Sequence, residues 1–342
     1  MVLSSPRVRA ALAALTMIAT ATPATASSPP THNRVDAAAG WLARQMVDGD
    51  HLETVFGDVS YPDAGLTIDA VFAFAAAKSS GTNAAAATTW LGQPSVLTGY
   101  VGDGIGEAYA GATAKLSLAA QVSGLDPASF GGVDLLTRLR GLQDPSGRFS
   151  DRSAYGDFSN ALSQSFAILA LDRAGGAPSA AVDFLVGSRC ADGGFPVQFG
   201  QPTCESDVDA TAMAVQALIA ADHRPAARPG IGWLVGVQAA DGSFTGAGVA
   251  NANSTGLAAQ ALAAAGRPVA WLRARQFILG LQVGCTGAAS DRGAIAYGAA
   301  GFDPGTAPRA TAQAVPGAAG APLGSLSAAG SSSTAPTLAC QP

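Results

Sequence analysis

The chain has 342 residues, 48% of them hydrophobic, 6% aromatic and 13% charged, long enough for one large domain or two ordinary ones and too apolar for a disordered polymer. Alanine occurs 76 times, which with so few charges points to buried helix surface built from small side chains and argues against a strand-rich fold. Only Lys78 and Lys115 are lysines, and 19 basic residues face 24 acidic ones, so there is no basic stripe to hold a phosphate backbone and nucleic acid is not an expected partner.

The chain opens with Arg7 and Arg9, an apolar run from Ala10 to about Thr20 and the small-x-small triplet Ala24-Thr25-Ala26. That order reads as a secretory signal peptide over residues 1–26, cleaved after Ala26, followed by a short linker over 27–34. The run is too short to span a bilayer, no later segment is long enough, and no cysteine follows the cleavage site. The expectation is a secreted chain without a transmembrane or lipid anchor.

Alanine-rich stretches, apolar on nearly every face, then recur at Leu66–Ala77, Ala112–Ala120, Ala161–Leu171, Ala210–Ala221, Thr255–Ala265 and Ala310–Ala319. A hydroxyl marks the first turn of each (Thr67, Thr113, Ser163, Thr211, Thr255 and Thr311) at intervals of 44 to 56 residues, the period of a helical hairpin. Between them lie stretches with one apolar stripe: Val133–Leu142, Val182–Val186, Gly230–Val237 and Trp271–Leu281. A helix apolar all round needs cover on two sides and an amphipathic one on a single side, so their alternation predicts concentric layers. The fold expected is all-α, a double ring of about six hairpins over 35–323, with an open solenoid as the competing architecture. Pro316 is expected to shorten or kink the last inner helix.

The middle outer stretches end in related loops, running from Gln143 to Phe149, Arg189 to Phe195 and Gln238 to Phe244, with glycines for positive φ and a Phe to refill the gap between layers. A weaker copy, Gln282 to Gly287, has lost the aromatic. Of the three pairings open to four cysteines in an exported chain, Cys190–Cys204 and Cys285–Cys340 are expected, the second tying a Ser/Ala/Gly/Pro-rich extended tail over 324–342 back to the last repeat. Zinc would need histidines near these thiols, and the histidines are His32, His51 and His223. No metal or cofactor is expected.

Six hairpins with a Gln-x-x-x-Gly-x-Phe loop resemble the prenyltransferase and squalene-cyclase repeat family, from about Val35 to Leu323 and most clearly from Leu135 to Leu262. The resemblance implies an α/α toroid, with Gln143, Phe149, Phe195, Gln238 and Phe244 as structural ties between repeats. It also implies that Asp207-Val208-Asp209-Ala210-Thr211-Ala212 is similar to the Asp-x-Asp-Asp-Thr-Ala motif of class II terpene cyclases, in which the acid matching Asp209 protonates an alkene or epoxide. Here Ala210 stands where that motif has a second activating carboxylate.

The next repeat places Asn251 and Asn253 where Asp207 and Asp209 stand, and a pair of helix caps explains both sites without chemistry. Inner-helix starts in a closed toroid surround the mouth of its cavity, so Thr211, Gln216, Asn251, Asn253, Thr255 and Gln260 are the candidate ligand contacts, with Asp209 and Asp207 the candidate catalytic pair. A hydrolase is poorly served by His223, which reads as a solvated connection between helices, and a glycan-cleaving pair would have to come from Glu107, Asp157, Asp209 and Asp303. The leading expectation is therefore a non-catalytic toroid that binds a small molecule or a cell-envelope component. The alternative is a terpene-cyclase-like acid catalyst using Asp209.

Overall fold

Helices apolar on every face need cover on two sides, and in the computed structural model, which describes residues 28–340, they receive it from one another and from an outer layer. In chain order the helices are α1 (Arg34–Ala43), α2 (Ala64–Ala77), α3 (Gly81–Leu91), α4 (Pro94–Val101), α5 (Ala110–Val122), α6 (Leu135–Arg140) and α7 (Ala161–Arg173). They continue with α8 (Ser179–Gly187), α9 (Val208–Ala220), α10 (Arg224–Val237), α11 (Ala252–Ala264), α12 (Pro268–Gly280) and α13 (Ala307–Ala319). The inner ring is α2, α5, α7, α9, α11 and α13, each packed on the next, and α13 returns onto α2. That contact closes the ring and sets the open solenoid aside. The outer positions are filled by α1, the pair α3 and α4, α6, α8, α10 and α12. The signal-peptide reading lies outside the described residues.

All six alanine-rich stretches are inner helices. Pro316 neither ends nor shortens α13, which continues to Ala319. The proline sits in the last turn, where it removes a single bond to the carbonyl four residues back. α10 begins at Arg224, six residues before the apolar stripe, with Pro225 in its first turn. Three short strand pairs carry no layer: β1 (Pro30–Thr31) with β6 (Thr337–Leu338), parallel; β2 (Glu53–Phe56) with β3 (Val59–Pro62), and β4 (Thr245–Gly246) with β5 (Val249–Ala250), both antiparallel.

The repeat loops are tied down by one recurring hydrogen bond. Thr211 Oγ1 accepts from Phe195 N–H at 2.8 Å, Thr255 Oγ1 from Phe244 N–H at 3.0 Å, Thr311 Oγ1 from Ile295 N–H at 2.9 Å and Thr67 Oγ1 from Leu52 N–H at 3.0 Å. In α7 Gln164 Oε1 accepts from Phe149 N–H at 2.9 Å, so the repeat uses Gln164 rather than the Ser163 hydroxyl. Ile295 occupies the place of the aromatic missing from the weak copy, and Gln282 there reaches the carbonyl of Arg34 at 2.7 Å, joining the last repeat to α1. A Cβ on Gly147 would stand 2.0 Å from the carbonyl oxygen of Ala180, so no larger residue lets this loop approach the next outer helix.

Both expected disulfides are formed, Cys190–Cys204 and Cys285–Cys340. The segment after Leu323, expected as an extended tail tied back by Cys340, lies ordered against the body. Leu323 N–H donates to Gln216 Oε1 at 3.0 Å, Arg173 Nη1 holds the Gly324 carbonyl at 3.1 Å, and Ala328 N–H donates to the Val122 carbonyl at 2.8 Å. The chain thus leaves α13, touches the ends of α9 and α7 across the ring, passes α5 and α2, and pairs with β1. It closes the mouth formed by the C-terminal ends of the inner helices.

Candidate functional site

A lumen of about 110 Å³ lies inside the ring, lined by residues from every inner helix and capped by Leu323. Its walls follow helical periodicity: a lumen-facing residue at i returns at i+4 and i+7. By the same periodicity the positions one turn toward the helix N-termini are Gly65, Gly111, Leu162, Asp209, Asn253 and Arg309, of which Leu162 lines the lumen. One turn below are Asp69, Lys115, Phe166, Met213, Leu257 and Gln313, with Phe72, Gln260 and Pro316 deeper still.

Asp207 and Asn251 are helix caps. Asp207 Oδ1 accepts from Ala210 N–H at 2.9 Å and Asn251 Oδ1 from Ser254 N–H at 2.8 Å. Their partners two residues on are not. Asp209 and Asn253 lie in the first turns of α9 and α11, and Asp209 Oδ1 and Asn253 Oδ1 are buried with no hydrogen-bond partner. Capping therefore explains half of each pair. Burial raises the pKa of Asp209 to about 6, the charge on Asp207 adds to the rise, and the Ser254 hydroxyl opposes it.

Thr211 and Thr255 are wholly buried and engaged with Phe195 and Phe244. Gln216 is held by Leu323, and Asn251 also bonds the carbonyls of Gly246 and Val249 at 3.1 Å. The structure thus puts Gln260 in the lumen wall, sets Asp209 and Asn253 one turn N-terminal of the lining residues Met213 and Leu257, and gives Thr211, Thr255, Gln216 and Asn251 structural work. His223 is exposed at the start of α10. Glu107, Asp157 and Asp303 are occupied locally, by Tyr109 at 2.9 Å, Arg148 at 2.9 Å and Thr306 at 3.0 Å. Among the described residues, no three His, Cys, Asp or Glu side chains gather to hold a metal ion.

The sequence reading missed a charged cluster inside the ring. Lys115 Nζ lies 2.6 Å from Asp69 Oδ1 and donates to the Gly65 carbonyl at 3.0 Å, while Gln313 Nε2 donates to Asp69 Oδ2 at 3.1 Å. The Lys115 ammonium stands 5.9 Å from the centre of the Phe166 ring. A lysine and an aspartate inside otherwise apolar helices are the sequence signal that could have found it. Above the lumen Arg309 pairs with Asp63 at 2.7 Å, and Asp63 caps α2 through Leu66 N–H.

No protein-family model matches the sequence, and no curated protein matches it. Solved structures do. A protein from Actinoplanes is 16% identical with a TM-score of 0.57, over 84% of this chain and 98% of that one. The type II terpene cyclase MstE from Scytonema, without ligand, is 13% identical with a TM-score of 0.63, over 84% and 97%. A variant of MstE in complex with its substrate geranylgeranyl dihydroxybenzoate is 14% identical with a TM-score of 0.60, over 84% and 96%. At these identities the likeness establishes the α/α toroid that the chain shares with them over 84% of its length.

Proposed function

We propose that this chain is an exported acid catalyst of the class II terpene-cyclase type, in which Asp209 delivers a proton to an alkene of an isoprenoid seated at the N-terminal mouth. The observation that carries the reading is Asp209 itself: a carboxyl with a buried, unpartnered oxygen and a pKa raised to about 6, one turn N-terminal of Met213 in the lumen wall. With a pKa of about 6 the carboxyl is about one-tenth protonated at pH 7 and mostly protonated below pH 5, and that neutral form is the one able to deliver a proton. The fold neighbour MstE binds geranylgeranyl dihydroxybenzoate as its substrate, which supports an isoprenoid as the substrate class.

Two observations favour a second reading, a binder without chemistry. Ala210 leaves Asp209 without one activating carboxylate, and the Asp69–Lys115 pair puts an ammonium where a carbocation would develop. Incubating the mature protein with prenyl substrates of increasing length, with mass-spectrometric analysis of products, separates the two. The catalytic reading expects a cyclised or hydrated product that Asp209→Asn abolishes while substrate binding persists. Binding with no product from any substrate sinks it in favour of the binder.

A further inference from the structure

Gln260 on α11 is 2% exposed, lines the lumen, and has an Oε1 with no hydrogen-bond partner. Asn253, seven residues earlier on the same helix, is half-buried and also has an Oδ1 with no hydrogen-bond partner. A buried side-chain amide left unpaired costs stability; Gln121 Oε1 is another in this chain, but of the three only Gln260 lines the lumen, and there it marks a polar group awaiting a ligand. An amide both donates and accepts, and so does a hydroxyl, so the two satisfy each other in either orientation of the amide.

The cations on the lumen face are already spent. Lys115 is neutralised by Asp69 at 2.6 Å, Arg309 by Asp63 at 2.7 Å, and Arg173 at the far end holds the carbonyls of Leu323 and Gly324 at 3.4 and 3.1 Å. The N-termini of α2, α9 and α11, which would otherwise attract an anion, are capped by Asp63, Asp207 and Asn251. A diphosphate entering this mouth meets Asp207 and Asp209 and finds no free guanidinium or ammonium.

We infer that the lumen recognises the neutral hydroxyl end of a short prenyl alcohol through Gln260 and excludes the corresponding diphosphate. The inference rests on the isoprenoid reading above and narrows it. Seven residues of helix separate Gln260 from the level of Asn253, about 10 Å along the wall. A hydroxyl anchored at Gln260 therefore leaves the other end of the chain at the height of Asp209. The lumen's 110 Å³ is below the roughly 300 Å³ at which drug-sized pockets begin, so it takes the hydroxyl end and the first isoprene unit, and the rest of a short chain lies toward Asp209.

The test is calorimetric and thermal-shift titration of the mature protein with geraniol and with geranyl diphosphate, on the wild type and on Gln260→Leu. Geraniol is expected to bind and raise the melting temperature, and the diphosphate to do neither. Gln260→Leu is expected to weaken geraniol about tenfold, one hydrogen bond's worth, while raising the melting temperature of the free protein because an orphaned amide is gone. A merely structural glutamine would lower that temperature. Diphosphate binding as tight as geraniol, or Gln260→Leu with unchanged geraniol affinity, overturns the inference and leaves the isoprenoid reading standing. Binding of neither probe overturns both.

Discussion

Ionising Asp209 in the folded chain means placing a negative charge beside Asp207 after most of its water has been removed. Its pKa of about 6 lies above the ordinary 3.8, so between those values the folded state holds more protons than the unfolded one and stability falls as pH rises. Above pH 6 the whole penalty is present, and below about 4 it vanishes. Asp209→Asn, which cannot ionise, should be more stable than the wild type by roughly 1–2 kcal/mol at pH 8, allowing for screening at the solvent-facing mouth. At pH 4 the two should have the same urea midpoint, and a loss of stability at pH 8 would refute the buried-acid description. The same residue shows how much of the site was legible. The motif around Asp207 and Asp209 stood out in the sequence, but only the geometry separates the cap from the acid, because both residue types suit a helix start. Asp69 and Lys115 escaped because their meaning is mutual: each stands two residues after a first-turn threonine, and the repeat brings them together across 46 positions.

Among elements, the inner helices were readable because being apolar on every face is a strong statement about burial, and every one of the six forms. α1, α3 and α4 were not singled out, since α1 is nearly all buried and α3 mixes alanine with threonine, so neither shows a clean stripe. Closeness of approach also lay beyond periodicity. A Cβ on Gly256 of α11 would stand 2.4 Å from the Gln313 carbonyl oxygen and 2.8 Å from the Ala314 Cα of α13, both backbone atoms that cannot turn aside. On the exposed face of α10, a Cβ on Gly232 or Gly236 meets nothing within 4 Å. One substitution should therefore have opposite signs at these sites. Gly232→Ala or Gly236→Ala should stabilise by up to about 1 kcal/mol through helix propensity. Gly256→Ala should lose about 1–3 kcal/mol to overpacking and disturb ligand binding, because α13 carries Gln313 and Pro316 into the lumen. Urea unfolding of the three variants decides it, and a stabilised Gly256→Ala would show that the two helices separate freely.

For the whole molecule, the two mouths of the ring are unequal, and the inequality comes from the segment with the least informative composition. Ser, Ala, Gly and Pro give residues 324–340 no periodicity, so their order depends on backbone partners far away in sequence. Thr337 N–H donates to the Pro29 carbonyl at 3.0 Å and Ser332 N–H to the Lys78 carbonyl at 2.9 Å, while Lys78 Nζ also bonds the Ala329 carbonyl at 3.1 Å. Near the end the strand passes so close to α1 that a Cβ on Gly40 would stand 1.8 Å from the Pro336 carbonyl oxygen. The Cys285–Cys340 bridge spans 55 residues, and the loop-entropy relation assigns its constraint on the unfolded chain about 4 kcal/mol. Replacing both cysteines by serine should lower stability on that order and raise amide exchange first at Ser332 and Thr337, whose partners lie nearest the released end. Exchange at Leu323 should rise less, because Gln216 and Arg173 hold that turn without the bridge. Gly40→Ala, with the disulfide intact, should loosen the same strand by steric contact alone. If both variants leave exchange at Ser332 and Thr337 unchanged while stability falls, the bridge acts only on the unfolded chain and the plug is held by its hydrogen bonds.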